Sequence, residues 1–142
     1  MNRKEFIKQS CGLCAALASS GIVLQSLQGC ASSSAIVKTK SQNNLIRIDK
    51  AALDSSKNFY QLRDAELEYD VLLIKEKERG YKALYMQCTH ESNPVYFNGS
   101  QIYCNSHGSR FDTQGEVLTG PAAQPLRQFK VSEENNFVVI HI

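Results

Sequence analysis

Residues 88–112 read Cys88-Thr89-His90-Glu91-Ser92-Asn93-Pro94-Val95-Tyr96-Phe97-Asn98-Gly99-Ser100-Gln101-Ile102-Tyr103-Cys104-Asn105-Ser106-His107-Gly108-Ser109-Arg110-Phe111-Asp112. In the middle, Val95-Tyr96-Phe97 and Gln101-Ile102-Tyr103 flank the pair Asn98-Gly99. Such runs around Asn-Gly predict a β-hairpin, because both turn residues tolerate positive φ. At each end of the hairpin stands a short block with one thiolate and one imidazole: Cys88-Thr89-His90 before it, Cys104-Asn105-Ser106-His107 after it. The hairpin therefore carries one candidate ligand loop at each end.

The same grammar extends outward. Leu45-Ile46-Arg47-Ile48 alternates apolar and polar residues, as a half-buried strand does. Tyr69 to Ile74 and Tyr81 to Cys88 are apolar runs bounded by charged or Gly-containing stretches. Between them the sign-alternating segment Ile74-Lys75-Glu76-Lys77-Glu78-Arg79 reads as a solvated strand end and turn. Phe129 to Val131 and Phe137 to Ile142 flank a polar Glu133-Glu134-Asn135-Asn136 turn, predicting a last hairpin. Lys50 to Asp64 fits neither periodicity, and no internal repeat is present. Several short strands and no long helical pattern predict an all-β fold, an antiparallel sandwich or barrel. The two ligand loops would form a small subdomain on it.

The order of the four candidate ligands is informative. Zinc fingers usually group a cysteine pair and then a histidine pair. Here the order is Cys, His, Cys, His, so each loop supplies one ligand of each kind. That suits a two-iron centre in which one iron keeps two thiolates and the other takes two imidazoles. The second block continues as His107-Gly108-Ser109-Arg110-Phe111-Asp112, and Gly120-Pro121-Ala122 follows. With C-x-H, a spacer, C-x-x-H-G, the H-G-S-x-[YF]-D run and a proline loop, residues from roughly Leu45 to Ile142 resemble a Rieske [2Fe-2S] domain.

The resemblance implies an antiparallel Rieske-like fold and one [2Fe-2S] cluster per chain. Cys88 and Cys104 would bind the inner iron, His90 and His107 the outer one. Ser109 matches the family serine whose hydroxyl donates to a bridging sulfide, and Pro121 would shield the cluster from water. Neutral imidazoles place no negative charge on their iron. The added electron therefore favours that end, at a higher potential than an all-cysteine cluster allows. Imidazole also titrates near neutral pH, so reduction can be coupled to proton uptake.

The sequence departs from the quinol-oxidising members of the family. Those proteins carry a second cysteine in each loop, joined as a disulfide; the corresponding positions here are Asn93 and Ser106. They also place a tyrosine, bonded to a ligand sulfur, where Phe111 stands. Fewer hydrogen bonds to sulfur stabilise the reduced state less. The expected potential therefore lies within roughly −150 to +300 mV and below the top of that range. The spacer from Glu91 to Tyr103 is a few residues short, as a clipped hairpin would make it.

Blander readings exist for each residue. A Cys2His2 zinc site would use the same four ligands, but the interleaved order and the H-G-S-x-F-D tail disfavour it. Ser109 fits an ordinary turn, and Gly120-Pro121 is a common turn pair. His141, the third histidine, lies in a terminal apolar run and reads as structural. An oxygenase would need a further mononuclear iron site, typically two histidines and a carboxylate. The chain has 3 histidines, so no second pair exists. It reads as an electron carrier or redox subunit rather than a stand-alone enzyme. Redox partner proteins are implied, a cytochrome or a quinol-oxidising complex among them.

The 142 residues support one domain of ordinary size. Of 16 basic and 14 acidic residues, Arg3, Lys4, Lys8 and Glu5 precede Cys30, leaving 13 against 13. A neutral body argues against a nucleic-acid partner, which requires a clustered basic face. Residues 1–29 have a basic start and an uncharged run from Cys11 to Leu27, the pattern of an export signal. Cys11 and Cys14 fall inside it. Leu27-Gln28-Gly29-Cys30 resembles a bacterial lipobox, which would make Cys30 the lipidated first residue on the periplasmic side of a membrane. An uncleaved membrane anchor is the alternative, since the run is near the lower length limit for a spanning helix.

Asn2-Arg3-Lys4-Glu5-Phe6-Ile7-Lys8 resembles a twin-arginine signal with Lys4 in place of the second arginine. Such export would carry the domain across already folded around its cluster. From Cys30 to Asn44 the Ser-rich sequence reads as a flexible tether, with a reach of about 45 Å when extended.

Overall fold

The computed structural model describes residues 36–142. The export signal, Cys30 and the first part of the tether lie outside the described residues. Eleven strands and one 3-10 turn follow in order: β1 (Ile36–Thr39), β2 (Leu45–Asp49), the turn Lys50–Ala52, β3 (Phe59–Asp64), β4 (Val71–Glu76), β5 (Gly80–Tyr85), β6 (Val95–Phe97), β7 (Ile102–Cys104), β8 (Arg110–Phe111), β9 (Val117–Thr119), β10 (Gln128–Glu134) and β11 (Phe137–His141). The expected all-β class is what the described residues adopt.

Seven strands form one sheet in the order β1-β3-β4-β5-β10-β11-β2, and four form a second in the order β6-β7-β8-β9. All pairings are antiparallel except that of β1 with β3. The two edge strands of the large sheet, β1 and β2, are consecutive in sequence, and the turn that joins them is closed by the Gln42–Leu45 bridge. The sheet thus curls toward a barrel, and curling limits the exposed edges that invite mispairing.

The central hairpin β4–β5 separates two cores. In β4, Val71 and Leu73 face the first core while Leu72 and Ile74 face the second. In and just after β5, Ala83 and Tyr85 face the first, Leu84 and Met86 the second. A strand covered on both faces has no polar alternation. That is why these two segments read as continuous apolar runs. The second core continues through Val95, Ile102 and Phe111 of the small sheet and includes both Cys88 and Cys104. The candidate site is therefore seated on the middle of the large sheet. A polar clasp fixes the two sheets from the side: the Lys82 ammonium lies 3.2 Å from a Glu76 carboxylate oxygen. The Gln114 side chain donates to that same oxygen at 3.1 Å and accepts from Lys82.

Three details differ from the sequence reading. The central loop is longer than the two-residue Asn98-Gly99 turn, spanning residues 98–101. Only Gly99 takes a positive φ, of 99°. Asn98 instead uses its side-chain oxygen to accept from the backbone N–H groups of Ser100 and Gln101. The unassigned stretch Lys50–Asp64 resolves into the 3-10 turn, whose first residues are capped by Asp49, and strand β3. The tether over 30–44 is not free throughout. Ile36–Thr39 is strand β1, paired with β3, and Thr39 and Ser41 both donate to the buried carboxylate of Asp64 at 2.8 Å.

Candidate metal centre

Three loops converge at one end of the small sheet. The first, after β5, carries Cys88 and His90; the second, between β7 and β8, carries Cys104 and His107; the third follows β9 and carries Pro121 and Ala122. Cys104 is the last residue of β7 and pairs with Val95, so the hairpin register fixes its position. Its carbonyl accepts from Gly108 at 3.1 Å, and its N–H donates to Ser109 at 2.9 Å. That tight return requires Gly108 at φ 79°, where a side chain would be strained. In the first loop the Cys88 N–H donates to the Asn93 carbonyl at 2.7 Å, closing a turn over the intervening residues.

The four candidate ligands divide by depth. Cys88 and Cys104 are buried and are not joined to any disulfide. His90 and His107 are exposed, with ring centroids 5.0 Å apart and planes at 85°. Burial pushes the Cys104 thiol up. The Ser106 backbone N–H, the Cys88 thiol and the His107 N–H outweigh it and hold the thiol below its ordinary value. Thiolate is the form that ligates metal, so these donors favour the ligating state. The set is two sulfurs inside and two imidazoles at the surface, all within one patch. That chemistry fits a cluster with one sulfur-bound and one nitrogen-bound iron.

The surrounding residues complete the site. Ser109 is fully buried, and its hydroxyl oxygen accepts from the Ala122 N–H at 3.0 Å. This leaves the hydroxyl proton free to donate elsewhere. Pro121 is exposed, as a residue lying between the site and solvent would be, and the next residue, Ala122, is buried. Phe111 is fully buried and offers no hydroxyl. His141 stands apart in β11, its Nε2 3.0 Å from the Ser132 hydroxyl, in keeping with a structural role.

Three residues near the candidate ligands carry no signal in the sequence reading. Thr89 donates its hydroxyl to the Gln124 carbonyl at 2.6 Å, joining the first loop to the third. Tyr69, from the turn before β4, donates to the Ser92 carbonyl in the first loop. Glu91 places a carboxylate oxygen 3.6 Å from His107 Nδ1. A Cys-x-His motif marks ligands by spacing, whereas these contacts arise only once the loops are folded together.

Comparison with known proteins agrees with this geometry. The family profile of the Rieske [2Fe-2S] domain matches residues 50–130, more than half of the chain. The cytochrome b6-f complex iron-sulfur subunit 2 of Nostoc sp. (strain PCC 7120 / SAG 25.82 / UTEX 2576) is 39% identical over 56 residues, which is 39% of this chain and 30% of the relative. The cytochrome b6-f complex iron-sulfur subunit of Chlorobaculum tepidum is 28% identical over 85 residues, 58% of this chain and 44% of the relative. The chain thus spans less than half the length of either. The crystal structure of the plasma membrane Rieske protein PetC3 from Synechocystis PCC 6803 superposes with a TM-score of 0.50 at 23% identity, covering 60% of this chain and 87% of that one. That likeness is one of fold.

Proposed function

The chain belongs to the Rieske [2Fe-2S] domain family, and from that premise we propose that it transfers single electrons as a membrane-tethered, ferredoxin-like carrier. The observation that carries this reading is the division of the donor set, two buried thiols and two exposed imidazoles on adjoining loops. Cys88 and Cys104 would hold one iron inside the second core; His90 and His107 would hold the other at the surface. When bound, the cluster supplies a one-electron couple whose electron favours the histidine-bound iron. The protein's residues do the rest. The apolar second core keeps water from the sulfur end. The exposed imidazoles bring the acceptor end to where a partner can touch it.

The potential would be set by two neighbours that act in opposite directions. The Ser109 hydroxyl has its proton to give, because its oxygen already serves the Ala122 N–H. Phe111 gives none. Hydrogen bonds to cluster sulfur are one of the levers on potential. Ser109→Ala is therefore expected to lower the midpoint potential while leaving the cluster in place. Protein-film voltammetry of wild type and variant checks this; an unchanged or higher midpoint would remove Ser109 from the account. The wild-type midpoint itself is expected within roughly −150 to +300 mV, below the upper end.

Low-temperature electron paramagnetic resonance of the reduced protein tests the ligand assignment. The resemblance to Rieske domains implies an average g of about 1.9 for mixed nitrogen and sulfur ligation. A colourless protein holding zinc would refute it.

A second reading makes the chain the iron–sulfur subunit of a larger quinol-oxidising complex. The relatives from Nostoc and Chlorobaculum, named as subunits of cytochrome b6-f complexes, favour it. Asn93, Ser106 and Phe111, in the places of the disulfide cysteines and the tyrosine, weigh toward the free carrier. Quinol-dependent reduction in native membranes, with co-purification of a cytochrome, would decide for the complex.

Membrane attachment through Cys30 belongs to the same proposal. Among the described residues no helix is long and apolar enough to cross a membrane. Mass spectrometry of the mature N-terminus tests the anchor, which predicts a diacylglyceryl group on Cys30. The twin-arginine route is refuted if blocking it still leaves mature, cluster-bearing protein outside the cytoplasm.

A further inference from the structure

The described residues contain Cys88 and Cys104 as free thiols and no disulfide to pin the ligand loops. The first loop nevertheless holds a strained residue: Ser92 sits at φ 34°, in the left-handed region that serine rarely adopts. Such a residue persists only where its surroundings over-determine it. Two constraints bracket Ser92. On one side, the neighbouring Asn93 carbonyl accepts from the Cys88 N–H at 2.7 Å. On the other, the Ser92 carbonyl accepts from the Tyr69 hydroxyl.

Tyr69 is suited to impose order rather than merely to fill space. Its ring meets Tyr85 edge-on, with centroids 5.6 Å apart, and its own N–H donates to the Tyr85 hydroxyl at 3.3 Å. Tyr85 in turn packs edge-on against buried Phe129 at 5.4 Å. An aromatic column therefore runs from the first core to the loop, and Tyr69 is its outer end. Rings lose little conformational freedom when fixed this way. The next residue, Asp70, is also held, by Arg63 at 2.8 Å.

We propose that Tyr69 is a positioning residue for the cluster, a non-covalent stay that holds the Cys88–His90 loop closed where no disulfide does so. The inference rests on the Rieske reading, since it concerns retention of that cluster. Opening of the first loop would expose the Cys88 end to solvent and to chelators. Removing one neutral hydrogen bond of ordinary worth should raise the population of the open loop about fivefold.

The test compares the full-length, cluster-loaded protein with Tyr69→Phe, which keeps the ring and deletes the hydroxyl. Tyr96→Phe serves as control, because the Tyr96 hydroxyl is exposed and makes no hydrogen bond among the described residues. Cluster loss to excess ferrous chelator is followed by visible absorbance, and amide exchange is followed by mass spectrometry. Tyr69→Phe is expected to lose its cluster about fivefold faster than wild type, and amides of residues 88–93 should exchange faster by a similar factor. The amides of β4 and β5 and the Tyr96→Phe variant should match wild type. Loss at the wild-type rate overturns the inference and leaves the Rieske reading intact. Faster exchange throughout β4 and β5 also overturns it, by showing a general packing role. Wild-type protein that takes up no cluster removes the reading on which both depend.

Discussion

Replacing Cys104 with serine is expected to give a folded but colourless protein, without iron, acid-labile sulfide or a paramagnetic signal after reduction. This is the largest effect foreseen, because a thiolate ligand is not replaceable in degree. Soft sulfur binds iron clusters, and a serine hydroxyl at neutral pH offers neither the charge nor the softness. The N–H groups of Ser106 and His107 and the Cys88 thiol together overcome the burial of Cys104 and favour its thiolate form. The fold should survive. Cys104 ends β7, whose register is fixed by its pairing with β6 and by buried Ile102 and Phe111. Metal and sulfide analysis beside far-ultraviolet circular dichroism would separate the two outcomes. Retention of a stoichiometric iron–sulfur centre in Cys104→Ser would sink the ligand assignment. Loss of the β-sheet signal along with the metal would mean that the cluster, rather than the second core, holds the small sheet together.

The sequence and the structure agree most closely where chemistry is local. The gathering of Cys88, His90, Cys104 and His107 at one end of the small sheet is legible because the spacing within each Cys–His pair is a property of a short loop. The hairpin between them is legible from Val95-Tyr96-Phe97 and Gln101-Ile102-Tyr103, although its turn is not. The Asn-Gly pair predicts positive φ at both residues, but the Asn98 side chain caps the loop and Gly99 alone in it takes the unusual backbone. Strand β3 escapes periodicity for a different reason. Its inward positions are Tyr60, Leu62 and Asp64, and a buried aspartate looks like a surface residue until its donors are known. Strand β1 is missed because Ser-rich surroundings suggest a free chain. Its order comes from β3 and Asp64, 25 residues onward for the Thr39 contact. Tyr69 and Thr89 are illegible in the same sense. Each acts through a backbone group of a different loop, and no composition or spacing rule encodes that.

Asp64→Asn is expected to cost about 2 kcal/mol near neutral pH, the ordinary worth of hydrogen bonds to a charged acceptor. Asp64 is only 4% exposed, yet its carboxylate gathers the Glu66 N–H at 3.0 Å and the hydroxyls of Thr39 and Ser41 at 2.8 Å each. Burial pushes its pKa up; these donors pull harder and leave it below the usual carboxylate value. An asparagine of the same shape loses the charge and turns two donor hydrogens toward some of those donors. The sign of the pH dependence follows. A carboxyl whose folded pKa is depressed contributes stability that is present above its unfolded pKa of about 3.9 and is lost as pH falls through the folded value. The gap between wild type and Asp64→Asn should thus be constant from pH 7 to pH 5 and narrow below about pH 4. The damage should concentrate at the edge. β1 has only β3 as its sheet neighbour, and Ile36 is already 51% exposed. Amides of residues 36–39 should therefore exchange faster in the variant at pH 7, ahead of those in β4. Urea midpoints at pH 7, 5 and 3, followed by tyrosine fluorescence in this tryptophan-free chain, measure the global term. Equal midpoints at pH 7 would show that Asp64 only tolerates its burial. A gap that widens toward pH 3 would reverse the sign and require the carboxyl to be neutral in the native state. If both expectations hold, the segment leading into the domain is fastened to the large sheet by a charge. Ile36–Thr39 then belongs to the folded domain, so any tether from Cys30 stops short of Asn44, which shortens the arc through which the exposed histidines could carry an electron.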